Sequence, residues 1–121
     1  MSEPVRIQRR RTRGWKMPPN TVSVTRPGEW GNPFRVGGYY RVNAGAFAWL
    51  EAIEEIAKQD PRFFKVETNE QAVELFRKYA EPRAQKFKTL RGKNLACWCP
   101  LDQPCHADVL LELANGGDVP P

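Results

Sequence analysis

The fold class that this sequence predicts is a small α/β domain, a Rossmann-like layered sheet with flanking helices. Three observations predict it. Residues 21–25 (Thr-Val-Ser-Val-Thr) alternate inward and outward positions and are rich in β-branched side chains, as a half-buried strand would be. Thr68-Asn69-Glu70-Gln71 has the form of a capping box and opens an apolar stripe at helical spacing. Asn94-Leu95-Ala96-Cys97-Trp98-Cys99 reads as a compact buried strand that turns, through a short loop, into a second such stripe. The order β-β-α-α-β-α layers strands against helices. A chain of 121 residues is long enough for one modest core, so a single domain over residues 1–121 is expected, ordered over about 5–115.

From the start, residues 5–9 alternate apolar and basic side chains and predict a short strand. Its direction relative to the strand at 21–25 is open. The run Arg9-Arg10-Arg11-Thr12-Arg13 would pass for a disordered basic tail, but Trp15 and Met17 follow closely and read as anchors holding the segment to the fold. After the second strand comes Arg26-Pro27-Gly28-Glu29-Trp30-Gly31-Asn32-Pro33-Phe34, where two glycines and two prolines exclude regular structure. A loop at a strand's end that carries an Arg, an Asn and two aromatics suits ligand recognition. A packed turn closing the core suits the same residues equally.

Residues 37–42 read as irregular, and Gly37-Gly38 lacks the strand and helix context of a dinucleotide fingerprint. Asn43 is placed to cap a helix reaching about Lys58, with Phe47, Leu50, Ile53, Ile56 and Ala57 on one stripe. Asp60-Pro61 ends it. Ala72, Val73, Leu75, Phe76, Tyr79 and Ala80 face the core from the next helix, which Pro82 breaks, leaving residues 83–88 as a separate basic turn. Pro104 fits the first turn of the last helix, Val109, Leu110 and Leu113 form its buried stripe, and Asn115-Gly116-Gly117 stops it before a frayed tail.

Charge is unevenly distributed. Residues 1–43 carry nine Lys/Arg against two acids, and residues 44–121 carry ten against twelve, so the positive potential belongs to the N-terminal third. An anionic partner is implied, and either a nucleic acid or a phosphorylated small molecule would suit. The longest apolar runs are far short of a membrane span and no secretory leader is legible, so the cytoplasm is the expected location and a membrane is not an expected partner. Composition says nothing of oligomeric state.

All three cysteines and the only histidine fall within residues 97–106. An odd cysteine count, with two only one residue apart, argues against a disulfide framework. Cys97, Cys99, Cys105 and His106 form a candidate zinc set, since Cys3His is an accepted donor combination. Their C-x-C-x5-C-H spacing is nonetheless unlike the paired knuckles of ordinary zinc modules. A metal-free reading makes Cys105 a thiolate at a helix N-terminus, with His106 or Asp108 as acid, base or hydrogen-bonding group. Plain core packing accounts for Cys97 alone more comfortably than for four such residues in ten. A deaminase is excluded, because no H-x-E is present and the order of its motifs is reversed.

The stretches Arg26-Pro27…Trp30-Gly31-Asn32-Pro33-Phe34 and Leu95-Ala96-Cys97-Trp98-Cys99-Pro100…Cys105-His106-Ala107-Asp108-Val109-Leu110 together resemble an uncharacterised family of short phage and bacterial proteins, domain of unknown function 4326. The resemblance covers residues 5–115. It implies a small α/β protein with a shared site and no established activity, and it adds Asp108 through a motif of the form C-H-x-D-V-L.

The leading expectation is a protein that binds a nucleotide-like or otherwise phosphorylated ligand, with hydrolase or transferase chemistry as an extension. Arg26, Trp30 and Asn32 approach from one loop, Trp30 stacking on a base. Cys105, His106 and Asp108 approach from the strand–helix corner, and Arg9, Arg10 and Arg11 add phosphate contacts. The alternative is a nucleic-acid-binding module in which the cysteines and histidine hold structural zinc. A third class, a plain protein-interaction module, would leave no trace in the sequence. The first expectation requires the loop at 26–34 and the corner at 97–106 to lie side by side.

Overall fold

A computed structural model describes residues 4–26, 28–43 and 48–115. The strand pattern near the N-terminus becomes β1 (Arg6–Gln8), and the β-branched stretch becomes β2 (Thr21–Ser23). Both run parallel to β6 (Asn94–Cys97), which lies between them in the order β1-β6-β2. The register pairs Ile7 with Ala96 and Val22 with Leu95. Leu95, Ala96 and Cys97 are all buried, as befits the central strand of a parallel sheet.

A second, antiparallel sheet has the order β4-β3-β5, from β3 (Tyr39–Asn43), β4 (Ala48–Ala52) and β5 (Phe64–Lys65). This overturns the helix expected from Asn43 to Lys58. Residues 48–52 are a strand, and only α1 (Glu54–Ala57) is helical. Phe47, at the start of the supposed stripe, lies outside the described residues. Of the rest of that stripe Ala57 is buried and Leu50 half-buried, but Ile53 and Ile56 are 63% and 56% exposed. Pairing with β3 instead lets Trp49 meet Phe34 edge-on at 5.2 Å, and this burial outweighs local helix preference. Residues 39–42, within the segment 37–42 expected to be irregular, and Asn43, expected to cap a helix, form the central strand of this sheet. The single layered sheet of the sequence reading is therefore two small sheets.

The helices follow the sequence more closely. Thr68 caps α2 (Asn69–Ala80): its hydroxyl accepts from the Gln71 amide, and the Gln71 side chain accepts from the Thr68 amide. Ala72, Phe76 and Ala80 form the buried stripe. Pro82 ends the helix in a 3-10 turn, followed by the short α3 (Ala84–Phe87). The last helix, α4 (His106–Asn115), starts just after Pro104 and buries Ala107, Val109, Leu110 and Ala114 against β6 and α2. Its expected stop at Gly116-Gly117 lies outside the described residues.

One aromatic joins the antiparallel sheet to α2. Phe34 is 1% exposed and meets Tyr40 of β3 at 5.0 Å, Trp49 of β4 at 5.2 Å and Tyr79 of α2 at 5.9 Å, each edge-on. Gly38 makes room for this arrangement, because a Cβ there would stand 2.5 Å from the Tyr40 hydroxyl. Among the described residues, no helix is long and apolar enough to cross a membrane.

Candidate functional site

Side chains alternate along a strand, so Leu95 and Cys97 share one face of β6 and Ala96 the other. The Leu95/Cys97 face lies under α4. Just past the strand, Cys99 Sγ stands 3.6 Å from Cys97 Sγ. Cys105 is brought back by the loop at 100–104, and the three sulfurs lie within 4.8 Å of one another. All three thiols are free.

Arg6 holds that loop in place. Its side chain is only 8% exposed; Nη1 meets Asp108 Oδ2 at 2.9 Å, while Nη2 donates to the carbonyls of Leu101 (2.6 Å) and Pro100 (3.2 Å). β1, the loop and the first turn of α4 thus share one guanidinium. At the loop's far end, Asn69 Nδ2 donates to the Pro104 carbonyl at 2.5 Å.

His106 is 5% exposed, and its Nε2 lies 2.7 Å from the Val24 carbonyl. A carbonyl only accepts, so Nε2 carries a proton. Nδ1 lies 3.7 Å from Cys105 Sγ. Phe76 closes the imidazole from the side, edge-on at 5.2 Å.

The crowded thiols cannot all ionise unaided. Hydrogen bonds from Cys105 and then Cys99 hold the Cys97 thiol below its ordinary range. Cys105 is pushed above it, first by Cys97, then by Cys99 and by burial. One thiolate shared among three sulfurs is what charge repulsion allows. A divalent cation removes that restriction. Tetrahedral zinc with sulfurs at about 2.3 Å sets neighbouring sulfurs about 3.8 Å apart, close to the spacing of Cys97 and Cys99. The three cysteines fit a soft metal ion. His106 stands outside the mutual thiol cluster, with Nδ1 at its Cys105 corner.

A cavity of about 400 Å³ opens beside the thiols, and Arg26, Asn32 and Phe34 of the aromatic loop also line it. Arg26, Asn32, Phe34 and Arg35 line it from one side; Cys97, Cys99 and His106 line it from the other, and Asn69, Ala72 and Val73 of α2 complete it. The two sequence motifs, some seventy positions apart, therefore meet at one site.

The individual side chains divide differently from the expectation. Arg26 is exposed at the cavity's edge and has no carboxylate partner among the described residues. Asn32 is 7% exposed, but its amide is already engaged: Nδ2 donates to the Ala72 carbonyl and Oδ1 accepts from the Phe34 amide. It pins the loop to α2. Trp30 packs on Phe87, 5.8 Å between ring centroids, with the Lys86 ammonium 5.5 Å from its ring, and it does not line the cavity. Asp108 faces Arg6 rather than the cavity. Arg9 and Arg11 lie over Trp98, at 4.5 and 4.6 Å from its ring centroid, and Arg10 is exposed. Three contributors were not singled out in the sequence. Arg35 directly follows the aromatic motif, Asn69 follows the capping Thr68, and Arg6 is one of several arginines near the N-terminus.

A family model described as Domain of unknown function (DUF4326) matches residues 7–116. No curated protein and no solved structure matches the chain.

Proposed function

The chain belongs to this family of unknown function, and from that premise and the site's geometry we propose that it binds a phosphorylated, nucleotide-like ligand in the cavity, beside zinc held by Cys97, Cys99 and Cys105. The observation that carries the reading is the meeting of a cationic wall and a thiol wall across one cavity of about 400 Å³, a volume suited to a small ligand. Arg26 offers an uncompensated charge for a phosphate. Arg35 offers a second that a ligand would share with Glu51, 3.0 Å away.

Zinc, when bound, would neutralise the thiolates and give the ligand an electrophilic contact. Around it the chain's own residues act structurally. Arg6 fixes the loop between two of the cysteines, and the Val24 carbonyl orients His106. If the site also performs hydrolysis or group transfer, His106 is the acid/base candidate that borders the cavity, since Asp108 is committed to Arg6. The corner itself is Rossmann-like, with a parallel strand, a loop and a helix N-terminus converging on the ligand position. Reduced thiols suit the cytoplasm.

Two measurements test the proposal. Elemental analysis of purified protein should find one zinc per chain, and nucleotides at millimolar concentration should raise the melting temperature, less so in Arg26→Ala. Metal-free protein with an unchanged melting temperature sinks the zinc half. No thermal shift across the nucleotide panel, pyrophosphate included, sinks the ligand half. The alternative of a zinc-stabilised nucleic-acid module shares the metal, so occupancy of the cavity is what separates the two.

A further inference from the structure

The parallel sheet has a second face, and the cavity makes no use of it. Strand alternation places Ile7, Ser23 and Ala96 opposite the face that α4 covers. Continuing past the strand ends, Arg9, Thr25 and Trp98 gather on that same side. The Arg9 backbone stays in register there, its amide donating to the Cys97 carbonyl at 2.8 Å.

Arg9 and Arg11 both bring their guanidinium carbons over the Trp98 ring, at 4.5 and 4.6 Å from its centroid. Arg9 Nη1 also donates to Ser23 Oγ and Thr25 Oγ1, each at 3.2 Å, and those hydroxyls lie 3.0 Å from one another. The Arg9 Nε is buried without an acceptor. Two like charges on one indole repel, and cation–π attraction offsets this only in part.

What is missing is an anion. Among the described residues, Arg9, Arg10, Arg11, Arg13, Lys16 and Arg26 have no carboxylate partner, whereas Arg6, Arg35, Arg41, Lys58, Arg62 and Arg77 each have one. Residues 4–26 contain no acid at all. We propose that this face is a second binding surface, for the phosphodiester backbone of a nucleic acid, seated on the Arg9–Trp98–Arg11 stack.

Charge complementarity selects that partner. Further along the sequence Arg13 and Lys16 are also exposed and without a carboxylate partner among the described residues, and so many unpaired cations in one segment suit a run of phosphates better than a single one. Trp98 is 38% exposed, leaving ring surface beside the guanidiniums for a base. This surface is independent of the cavity, and either proposal stands if the other fails.

The test follows the fluorescence anisotropy of a labelled strand of roughly 20 nucleotides, alone and annealed to its complement, against the purified full-length protein. Binding should weaken steeply with salt. In Arg9→Ala/Arg11→Ala the low-salt affinity should fall at least tenfold, and the log–log salt slope should flatten by about 1.4 for the single strand, two phosphates' worth. Arg11→Glu alone, at an exposed position, should reproduce most of the loss with an unchanged melting temperature. The double variant should keep any nucleotide-induced thermal shift of the cavity.

Absence of binding at low salt overturns the proposal, as does equal binding by wild type and both variants. Complete displacement by millimolar inorganic phosphate would mark a single-phosphate site instead. Binding to anionic phospholipid vesicles without binding to either nucleic acid would mark a lipid surface. Loss of the cavity's thermal shift in the double variant would show the two sites to be one.

Discussion

The parallel sheet β1-β6-β2 and the antiparallel sheet β4-β3-β5 each have three strands, but they are drawn from very different stretches of chain. The antiparallel sheet pairs near neighbours: Asn43 lies opposite Ala48, and Tyr39 opposite Lys65. The parallel sheet pairs Arg6 with Leu95 and Thr21 with Asn94. The locally assembled sheet presents aromatic side chains to the core. The sheet assembled from distant segments gathers the thiols, the histidine and the unpaired arginines at the C-terminal ends of its strands. Chemistry lies where remote pieces of sequence converge, and Phe34, held by the local sheet and α2, lines the cavity beside it.

If that division is correct, substitutions at the joint and in each sheet should behave differently. Phe34→Ala should have the largest effect, about 3–5 kcal/mol of stability, because the ring is fully buried among three other aromatics. Urea unfolding followed by tryptophan fluorescence measures it. A cost under about 1 kcal/mol would mean that the antiparallel sheet and α2 are not packed through this ring.

Arg6→Ala comes next, at about 2 kcal/mol, since it strips hydrogen bonds from two carbonyls and a charge partner from Asp108. Its specific signature is chemical. With the loop at 100–104 released, Cys99 should react faster with a disulfide reagent and zinc should be lost at lower chelator concentrations. Unchanged thiol kinetics would remove Arg6 from the site's supporting structure.

Acid should act more gently, on the antiparallel side. Hydrogen bonds from the Arg62 side chain and then its backbone amide lower the Asp60 carboxyl from 3.8 to about 2. A depressed folded value stabilises above the unfolded one, so this contribution is complete above about pH 4 and is lost as pH falls towards 2. The difference in stability between Asp60→Asn and wild type should shrink across that window. A constant difference would contradict it.

Glu51→Gln should have the smallest effect on stability, with no measurable change in melting temperature, because its pair with Arg35 is exposed to solvent. Its value is diagnostic. Freed from its carboxylate, Arg35 should bind phosphate in the cavity more tightly, so nucleotide thermal shifts should grow. Smaller shifts would place Arg35 outside the ligand's reach.

The sequence was most legible where local chemistry decides structure. The Thr68–Gln71 cap, the Pro82 break and the strand–loop–helix corner are readable because each is fixed by a few adjacent residues. The stretch from 43 to 58 misled because residues spaced for a helix gained more by lying beside β3. β5 is two residues long and exists only through its partner, so nothing local announces it. At the site, residue type and place were legible but orientation was not. Asn32 and Asp108 carry the right groups in the right region, and both are occupied by contacts that only the fold creates. Trp30 was read as a stacking platform and packs on α3 instead. Arg6 was hidden among similar residues, since nothing in its neighbourhood marks it as the one that reaches across to the loop.

The pairing of Val5 and Arg6 with residues 94–95 also bears on when the site can come into being. β1 and β2 both hydrogen-bond to β6, and β6 is the last strand to be synthesised among the described residues. On the ribosome the antiparallel sheet can close early, while the first two strands wait without their central partner. Contacts between segments so distant in the chain form slowly. A chain that has lost its first ten residues would still carry every cysteine and the histidine, yet lack both the strand beside Cys97 and the guanidinium that closes the loop. Presence of the thiol motif in a truncated product is therefore a poor guide to an assembled site.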